Sequence, residues 1–124
     1  MSYKNIEGFT IRQATEADVG LILAFIKALA LYEKLPGQVS ATEEILHDSL
    51  FVRHAAEVLI GDYKGQPACF ALFFHNFSTF QGLPGLYLED LFVKEEYRGL
   101  GLGKAMLSYL SELACERRRG RMEW

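Results

Sequence analysis

The sequence has little cysteine and tryptophan and no excess of positive charge. Its two cysteines, Cys69 and Cys115, stand in no CxxC or Cys/His pattern, so we expect free thiols in a reducing compartment and no zinc site. The net charge of -3 argues against general nucleic-acid binding, which needs a basic surface, and suits a cationic substrate. No apolar run reaches the roughly 20 residues of a membrane span, and no signal peptide is apparent at the start. We therefore expect a cytoplasmic protein.

Length and composition predict one globular domain. The chain has 124 residues, of which 50% are hydrophobic and 23% are charged, an ordinary balance for a protein with a packed core. No linker, repeat or low-complexity segment divides it. We take residues 1–124 as one domain.

Hydrophobic periodicity predicts an alternation of helices and strands. The strand-like runs are residues 9–14, 56–63, 67–77, 86–93 and 121–124. The helical runs are residues 15–33, 40–50 and 101–119. The predicted buried positions of the two long helices are Val19, Ile22, Phe25, Ile26, Leu29 and Ala30, and Met106, Leu107, Leu110, Leu113 and Ala114. We expect a mixed α/β fold in which helices flank a sheet.

The helix ends carry recognisable signals. Thr15 with Asp18 resembles a capping box, and Ser40 with Glu43 predicts a second helix start. Gly120 is the expected end of the last helix. Residues 117–119, all arginine, are expected in its final turn, where the helix dipole favours cations.

Residues 97–106, YRGLGLGKAM, form a glycine-rich entry to the last predicted helix. The segment fails as a Walker loop, because Arg98 replaces the first glycine and Ala105 replaces the serine or threonine that would hold magnesium. It fails as a dinucleotide loop because Lys104 stands where the third glycine is required. The remaining pattern is R-x-x-G-x-G after a strand.

Such a segment can bind a pyrophosphate without a metal. Glycines let the backbone approach a ligand, and the first turn of a helix has unpaired N–H groups at its positive end. The alternative is a tight glycine turn that binds nothing.

With the strand before it, LYLEDLFVKEEYRGLGLGKAML (residues 86–107) resembles the acetyl-CoA-binding motif of the GNAT superfamily of N-acetyltransferases. It is most similar to the branch of diamine (spermidine/spermine) and thialysine acetyltransferases. IRQATEAD, LALYEKLPGQV and FSTFQG extend the resemblance over nearly the whole chain. It implies the GNAT fold, a mixed and largely antiparallel sheet flanked by helices.

The resemblance also implies a site for acetyl-CoA. The strand residues that would hold the pantetheine arm through their backbone are Leu91, Phe92 and Val93. The motif residues that would surround the pyrophosphate are Arg98, Gly99, Leu100, Gly101, Leu102, Gly103 and Lys104. The Arg98 side chain is either structural or near the phosphates.

For the amine, the resemblance assigns Glu89 as the carboxylate that binds the ammonium and relays its proton. A protonated primary amine cannot attack a thioester, so such a group is needed. Glu89 and Asp90 are strand neighbours and point to opposite faces unless a bulge intervenes. Tyr32, Glu33 and Asp90 match positions that line the amine site, and Glu123 is a further candidate. Tyr32 and Glu33 also fit a core aromatic and a solvated acid.

Two departures from the family pattern bear on function. Phe80 stands where several relatives carry tryptophan. Relatives continue with a further strand, a helix whose tyrosine protonates the leaving thiolate, and a last strand. We therefore expect a domain lacking the last strands and helix, and little transferase activity from these 124 residues alone.

The expected function is acetyl-CoA-dependent acetylation of a small cationic amine (a polyamine, a diamine or thialysine) by a homodimer. The alternatives are a non-catalytic CoA-binding module and a GNAT enzyme that acts on protein amines. We expect no metal, since His47 and His75 have no partners at ligand spacing.

Overall fold

The computed structural model describes residues 6–124. The absence of a signal peptide is a prediction about a segment whose residues 1–5 lie outside this range. The strands are β1 (Phe9–Gln13), β2 (Glu57–Tyr63), β3 (Gln66–Ser78), β4 (Leu83–Val93) and β5 (Met122–Glu123). The α-helices are α1 (Val19–Tyr32), α2 (Glu43–His47) and α3 (Leu102–Glu116). Short 3-10 turns cover Glu16–Asp18, Pro36–Gln38 and Glu95–Tyr97, and a π-helical turn covers Asp48–Val52.

Within residues 6–124, the five strands form one sheet in the order β1-β2-β3-β4-β5. Neighbours from β1 to β4 are antiparallel, while β5 runs parallel to β4. The β2–β3 connection is a tight hairpin at Lys64 and Gly65, as predicted from the KGQ turn. The predicted fold class, a mixed and largely antiparallel sheet flanked by helices, is confirmed.

Two apolar clusters lie on the two faces of the sheet. The buried residues of the first, against α3, are Phe9, Leu59, Ala68, Cys69, Ala71, Phe73, Leu86, Leu88, Leu102, Ala105, Met106, Leu110, Leu113 and Ala114. Those of the second, against α1 and α2, are Val19, Ile22, Phe25, Leu46, Leu50, Val58, Ile60, Phe70 and Phe92. The helical spacing of apolar residues in α1 and α3 explains both clusters, because it places one stripe of each helix against the sheet.

Two predicted helix ends were wrong. Thr42, rather than Ser40, caps α2, because its hydroxyl accepts the Ile45 N–H at 3.2 Å. Helix α3 ends at Glu116, before all three arginines, and Arg118 adopts the left-handed conformation expected of Gly120. Arg117 instead forms a bidentate ion pair with Glu57, at 2.6 and 2.9 Å. Glu57 is 60 residues away in the chain, so the sequence around Arg117 did not predict this ion pair.

No helix within residues 6–124 is both long and apolar enough to cross a bilayer. The same residues contain no group of three or more histidine, cysteine, aspartate or glutamate side chains that could hold a metal ion.

Candidate active site

The C-terminal half of β4 lies at an open edge of the sheet. β5 pairs with β4 only at Leu86 and Tyr87. From Leu88 to Val93, β4 has β3 on one side and no strand of residues 6–124 on the other. An unpaired strand edge presents backbone donors and acceptors to a ligand.

Strand geometry identifies which backbone groups face that edge. The Lys94 N–H donates to the Ala68 carbonyl of β3 at 2.9 Å. Because backbone groups alternate in direction along an antiparallel strand, Phe92 also faces β3, whereas Leu91 and Val93 face outward. Two of the three strand residues predicted to hold the pantetheine arm therefore direct their amide groups to the open edge.

The start of α3 is a second concentration of free donors. The first helical hydrogen bond of α3 runs from the Ala105 N–H to the Gly101 carbonyl at 3.0 Å. The six preceding N–H groups, of residues 99–104, donate to no acceptor within residues 6–124. With the positive end of the helix dipole, such a run of amides binds an anion.

The glycines differ in why they are needed. Gly99 and Gly101 have φ of +83° and +82°, a region in which other residues are strained. Gly103 lies in the helix, and a Cβ there would meet Val93 Cγ2 at an ordinary 3.7 Å. The Leu102 side chain is buried against the sheet, so only its backbone is available, while Leu100 and Lys104 are exposed.

A β-bulge at Glu89 changes the faces of β4. Leu72 lies opposite Asp90 and Phe73 opposite Leu88, so Glu89 is the extra residue. Before the bulge, Leu88 packs in the α3-side cluster; after it, Leu91 does so and Phe92 packs on the α1 side. The alternation thus shifts by one residue, and Glu89 and Asp90 both fall on the α1 side. The sequence did not decide whether β4 contains a bulge here, and the structure shows that it does.

Three carboxylates meet on this side of the sheet. Burial raises the pKa of Asp90, and the negative charges of Glu89 and Glu33 raise it further. Glu89 and Glu33 are exposed, whereas Asp90 is half-buried. Tyr32 lies beside them at the end of α1, 62% exposed, with its ring 6.1 Å from that of Phe92. Tyr32 is therefore not a buried core aromatic, which was the other interpretation of this residue.

Arg98 lies between these features. Its Nε donates to the Val93 carbonyl at 3.0 Å. Its guanidinium carbon lies 4.3 Å from the centroid of the Tyr32 ring and 5.5 Å from that of Phe92. The side chain thus connects the end of β4 to the end of α1.

Glu123 is engaged elsewhere. It forms an ion pair with Arg121 and accepts a hydrogen bond from Asn76 at 3.1 Å, and these two partners lower its pKa. The other carboxylates do not contribute to that shift. Of the predicted amine-site residues, the structure brings together Tyr32, Glu33, Glu89 and Asp90.

A groove between the end of α1 and the turn after β4 contains residues that sequence reasoning missed. Its lining residues are Ala28, Leu31, Tyr32, Phe92, Lys94, Glu95, Glu96 and Arg98. Ala28, Leu31 and Tyr32 are spaced as one face of α1, offset from its buried stripe. Leu31 is 68% exposed. This second apolar stripe on α1 is the sequence pattern that could have indicated the groove.

The chain is similar to known proteins over most of its length. The family model of the acetyltransferase (GNAT) family matches residues 22–124. The thialysine N-epsilon-acetyltransferase of Bos taurus is 38% identical, in an alignment that covers 86% of this chain and 68% of that protein. The L-ornithine N5-acetyltransferase of Arabidopsis thaliana is 42% identical, over 92% of this chain and 70% of that protein.

A solved structure shows the same fold. The predicted acetyltransferase of Clostridium acetobutylicum, determined with acetyl-CoA, superposes with a TM-score of 0.76 at 18% identity, covering 92% of this chain and 78% of that one. The resemblance drawn from the R-x-x-G-x-G motif is confirmed by the family model and by the relatives named as N-acetyltransferases. The chain belongs to the acetyltransferase (GNAT) family of N-acetyltransferases.

Proposed function

We propose that this domain transfers the acetyl group of acetyl-CoA to a primary amine of a small cationic acceptor: a polyamine, a diamine, or an amino acid such as thialysine or ornithine. The observation that carries the proposal is the pairing of the open β4 edge with the six free amides of residues 99–104. The β4 edge presents backbone groups that can pair with a pantetheine arm. The amides of residues 99–104 are donors that can bind its pyrophosphate.

The residues present fit acetyl-CoA. The amides of Gly99, Leu100, Gly101, Leu102, Gly103 and Lys104 would hold the pyrophosphate. The outward backbone groups of Leu91 and the outward N–H of Val93 would hold the pantetheine arm, because the Val93 carbonyl already accepts from Arg98. Phe92 would support the arm through its buried side chain. Acetyl-CoA supplies the acetyl thioester that reacts with the amine, so no metal is needed.

The amine end of the site is acidic. The charges of Glu33 and Glu89 both act on Asp90, and such a group of carboxylates favours cationic acceptors. The names of the two relatives support the same class, since thialysine and ornithine both carry a side-chain amine beside other charges. Tyr32 adds an exposed ring that can contact the aliphatic part of the acceptor.

In the proposed reaction, the acceptor ammonium binds at Glu89, which takes its proton directly or through water. The neutral nitrogen attacks the thioester carbonyl, a C–N bond forms, and the C–S bond breaks. The bonded nitrogen gives up a second proton and the CoA thiolate takes one up, so the products are the acetylated amine and CoA, and the proton first taken by Glu89 passes to solvent. Glu89 is the proposed base, and Asp90 sets the local negative charge.

The deciding experiment is a calorimetric titration of the chain with CoA, followed by acetylation assays with thialysine, ornithine, spermidine and 1,3-diaminopropane. We expect CoA binding, and for any amine that reacts, a fall in kcat of about 100-fold or more in Glu89→Gln, the range of general-base catalysis. The matched control is Glu112→Gln on the exposed face of α3. No CoA binding by the native chain would refute the proposal.

Two other functions are outcomes of the same assays. CoA binding without turnover of any amine identifies a CoA-binding module. Acetylation of peptide amines but not of small amines identifies a protein acetyltransferase. A homodimer in the cytoplasm belongs to the proposal as well, and light scattering with chromatography tests the dimer.

A further inference from the structure

Two parts of the Arg98 guanidinium are engaged within the protein. Its Nε donates to the outward-facing carbonyl of Val93 at 3.0 Å, and its flat face covers the Tyr32 ring at 4.3 Å. Arginine stacks on aromatic rings while donating hydrogen bonds in its own plane, so the two contacts are compatible with each other. Rotating the guanidinium out of this plane would break at least one of them.

These contacts join the two ends of the site. Val93 lies on the edge proposed for the acetyl donor, and its carbonyl is occupied by Arg98. Tyr32 precedes Glu33, one of the carboxylates whose charge acts on Asp90. The Arg98 side chain therefore links the edge proposed for the donor to the Tyr32 ring.

We propose that Arg98 is a positioning residue rather than a phosphate ligand. It is a strut that holds the end of β4 and the Tyr32 ring in one arrangement, and CoA binding at the β4 edge depends on that arrangement. This inference rests on the proposed function, with acetyl-CoA at the β4 edge. The six backbone amides then bind the phosphate, and they do so without a charged side chain.

The first test needs no ligand. Amide hydrogen exchange is followed by mass spectrometry in the native chain, Arg98→Lys, Tyr32→Leu and Tyr32→Phe. We expect the hydrogen-bonded amides of Lys94, Tyr97 and Arg98 to exchange about threefold faster or more in Arg98→Lys and Tyr32→Leu, because local opening becomes easier when the strut is lost. Tyr32→Phe keeps the ring and should match the native chain. Unchanged exchange in both Arg98→Lys and Tyr32→Leu would overturn the strut.

The second test measures CoA affinity by calorimetry in the same variants and in the double variant Arg98→Lys/Tyr32→Leu. We expect both single variants to weaken CoA binding by similar factors, and the double variant to be no weaker than the worse single one. Tyr32→Phe should retain native affinity. Arg53→Lys, an exposed arginine paired with Asp48, is the matched control and should bind as the native chain does.

A direct phosphate ligand predicts a different pattern. Tyr32→Leu would leave CoA affinity unchanged, or the two losses would multiply in the double variant, and either result overturns the inference. If the native chain fails to bind CoA, the proposed function fails, and hydrogen exchange alone still decides whether Arg98 is a strut.

Discussion

Helices α1 and α3 both follow a strand, yet they begin in opposite ways. Before α1, the Asp18 carboxylate accepts the Thr15 N–H at 2.8 Å and pairs with Arg12, also at 2.8 Å. Gly101, the residue before helix α3, has no side chain that could cap the helix. The turn that leads into α1 is closed by the protein's own side chains, whereas the start of α3 is open.

The difference indicates where the fold gives up local stability. Caps contribute about 1 kcal/mol each, and α2 has one in Thr42. At α3 that contribution is absent, and positive-φ glycines replace ordinary residues beside the open β4 edge. A helix start built only for packing would gain from a cap, whereas a site for a phosphate needs the amides free.

The largest expected effect comes from distorting the open start. Valine at Gly101 must adopt φ near +82° or shift the backbone, at a cost of about 1–2 kcal/mol or more for an L-residue. Gly101→Val should therefore weaken CoA binding at least about tenfold, measured by calorimetry. Gly37→Val is the control, because Gly37 has no positive φ and an added Cβ meets nothing within 4 Å. Equal CoA affinity in both variants would contradict the phosphate assignment.

Closing the open start with charge should separate stability from binding. Lys104→Glu places a carboxylate in the first turn of α3, where the helix dipole favours it by about 0.3–1 kcal/mol. The same carboxylate repels a phosphate. We expect Tm to rise slightly while CoA affinity falls about fivefold or more, with Lys104→Gln intermediate in both. A gain or no change in CoA affinity in Lys104→Glu would place the phosphates elsewhere.

Opening the closed start should have the smallest effect and none on CoA. The Arg12 guanidinium, with the Thr15 N–H, holds the pKa of Asp18 below its usual value. That carboxylate therefore stabilises the fold above about pH 4, and its contribution is lost as pH falls through the lowered pKa. Asp18→Asn should cost about 1 kcal/mol at pH 7 in urea unfolding.

The difference between the Asp18→Asn and native free energies of unfolding should shrink in acid. Asp48→Asn is the control, since Asp48 is half-exposed and pairs with the exposed Arg53, and ion pairs at such positions contribute little. A loss independent of pH would show that the charge of Asp18 is not what closes α1.

Much of the site could be predicted from the sequence, because its backbone parts are local. R-x-x-G-x-G after LYLEDLFV is contiguous, so one stretch specifies the strand, the turn and the free amides. The hydrophobic periods likewise predict α1, α3 and the strands. The bulge at Glu89 was left open, because register depends on the pairing of β4 with β3 rather than on β4 alone.

Contacts between distant residues were not predictable. Arg117 on Glu57 and Arg98 on Tyr32 join residues far apart in the chain, and no spacing rule connects them. Glu123 was a further candidate for the amine site, but it pairs with Arg121 and Asn76. The ends of α2 and α3 also differ from prediction, since several residues compete for each cap and tertiary packing selects one.

The sequence by itself determined the family, the order of helices and strands, and the glycine turn that opens α3, because each depends on residues adjacent in the chain or on a short period. Only the tertiary structure decided that β4 has an open edge, that the bulge places Glu89 and Asp90 on one face, and that Arg98 spans the two ends of the site. Those features depend on strand register and on long-range contacts, and both are settled only when the chain packs.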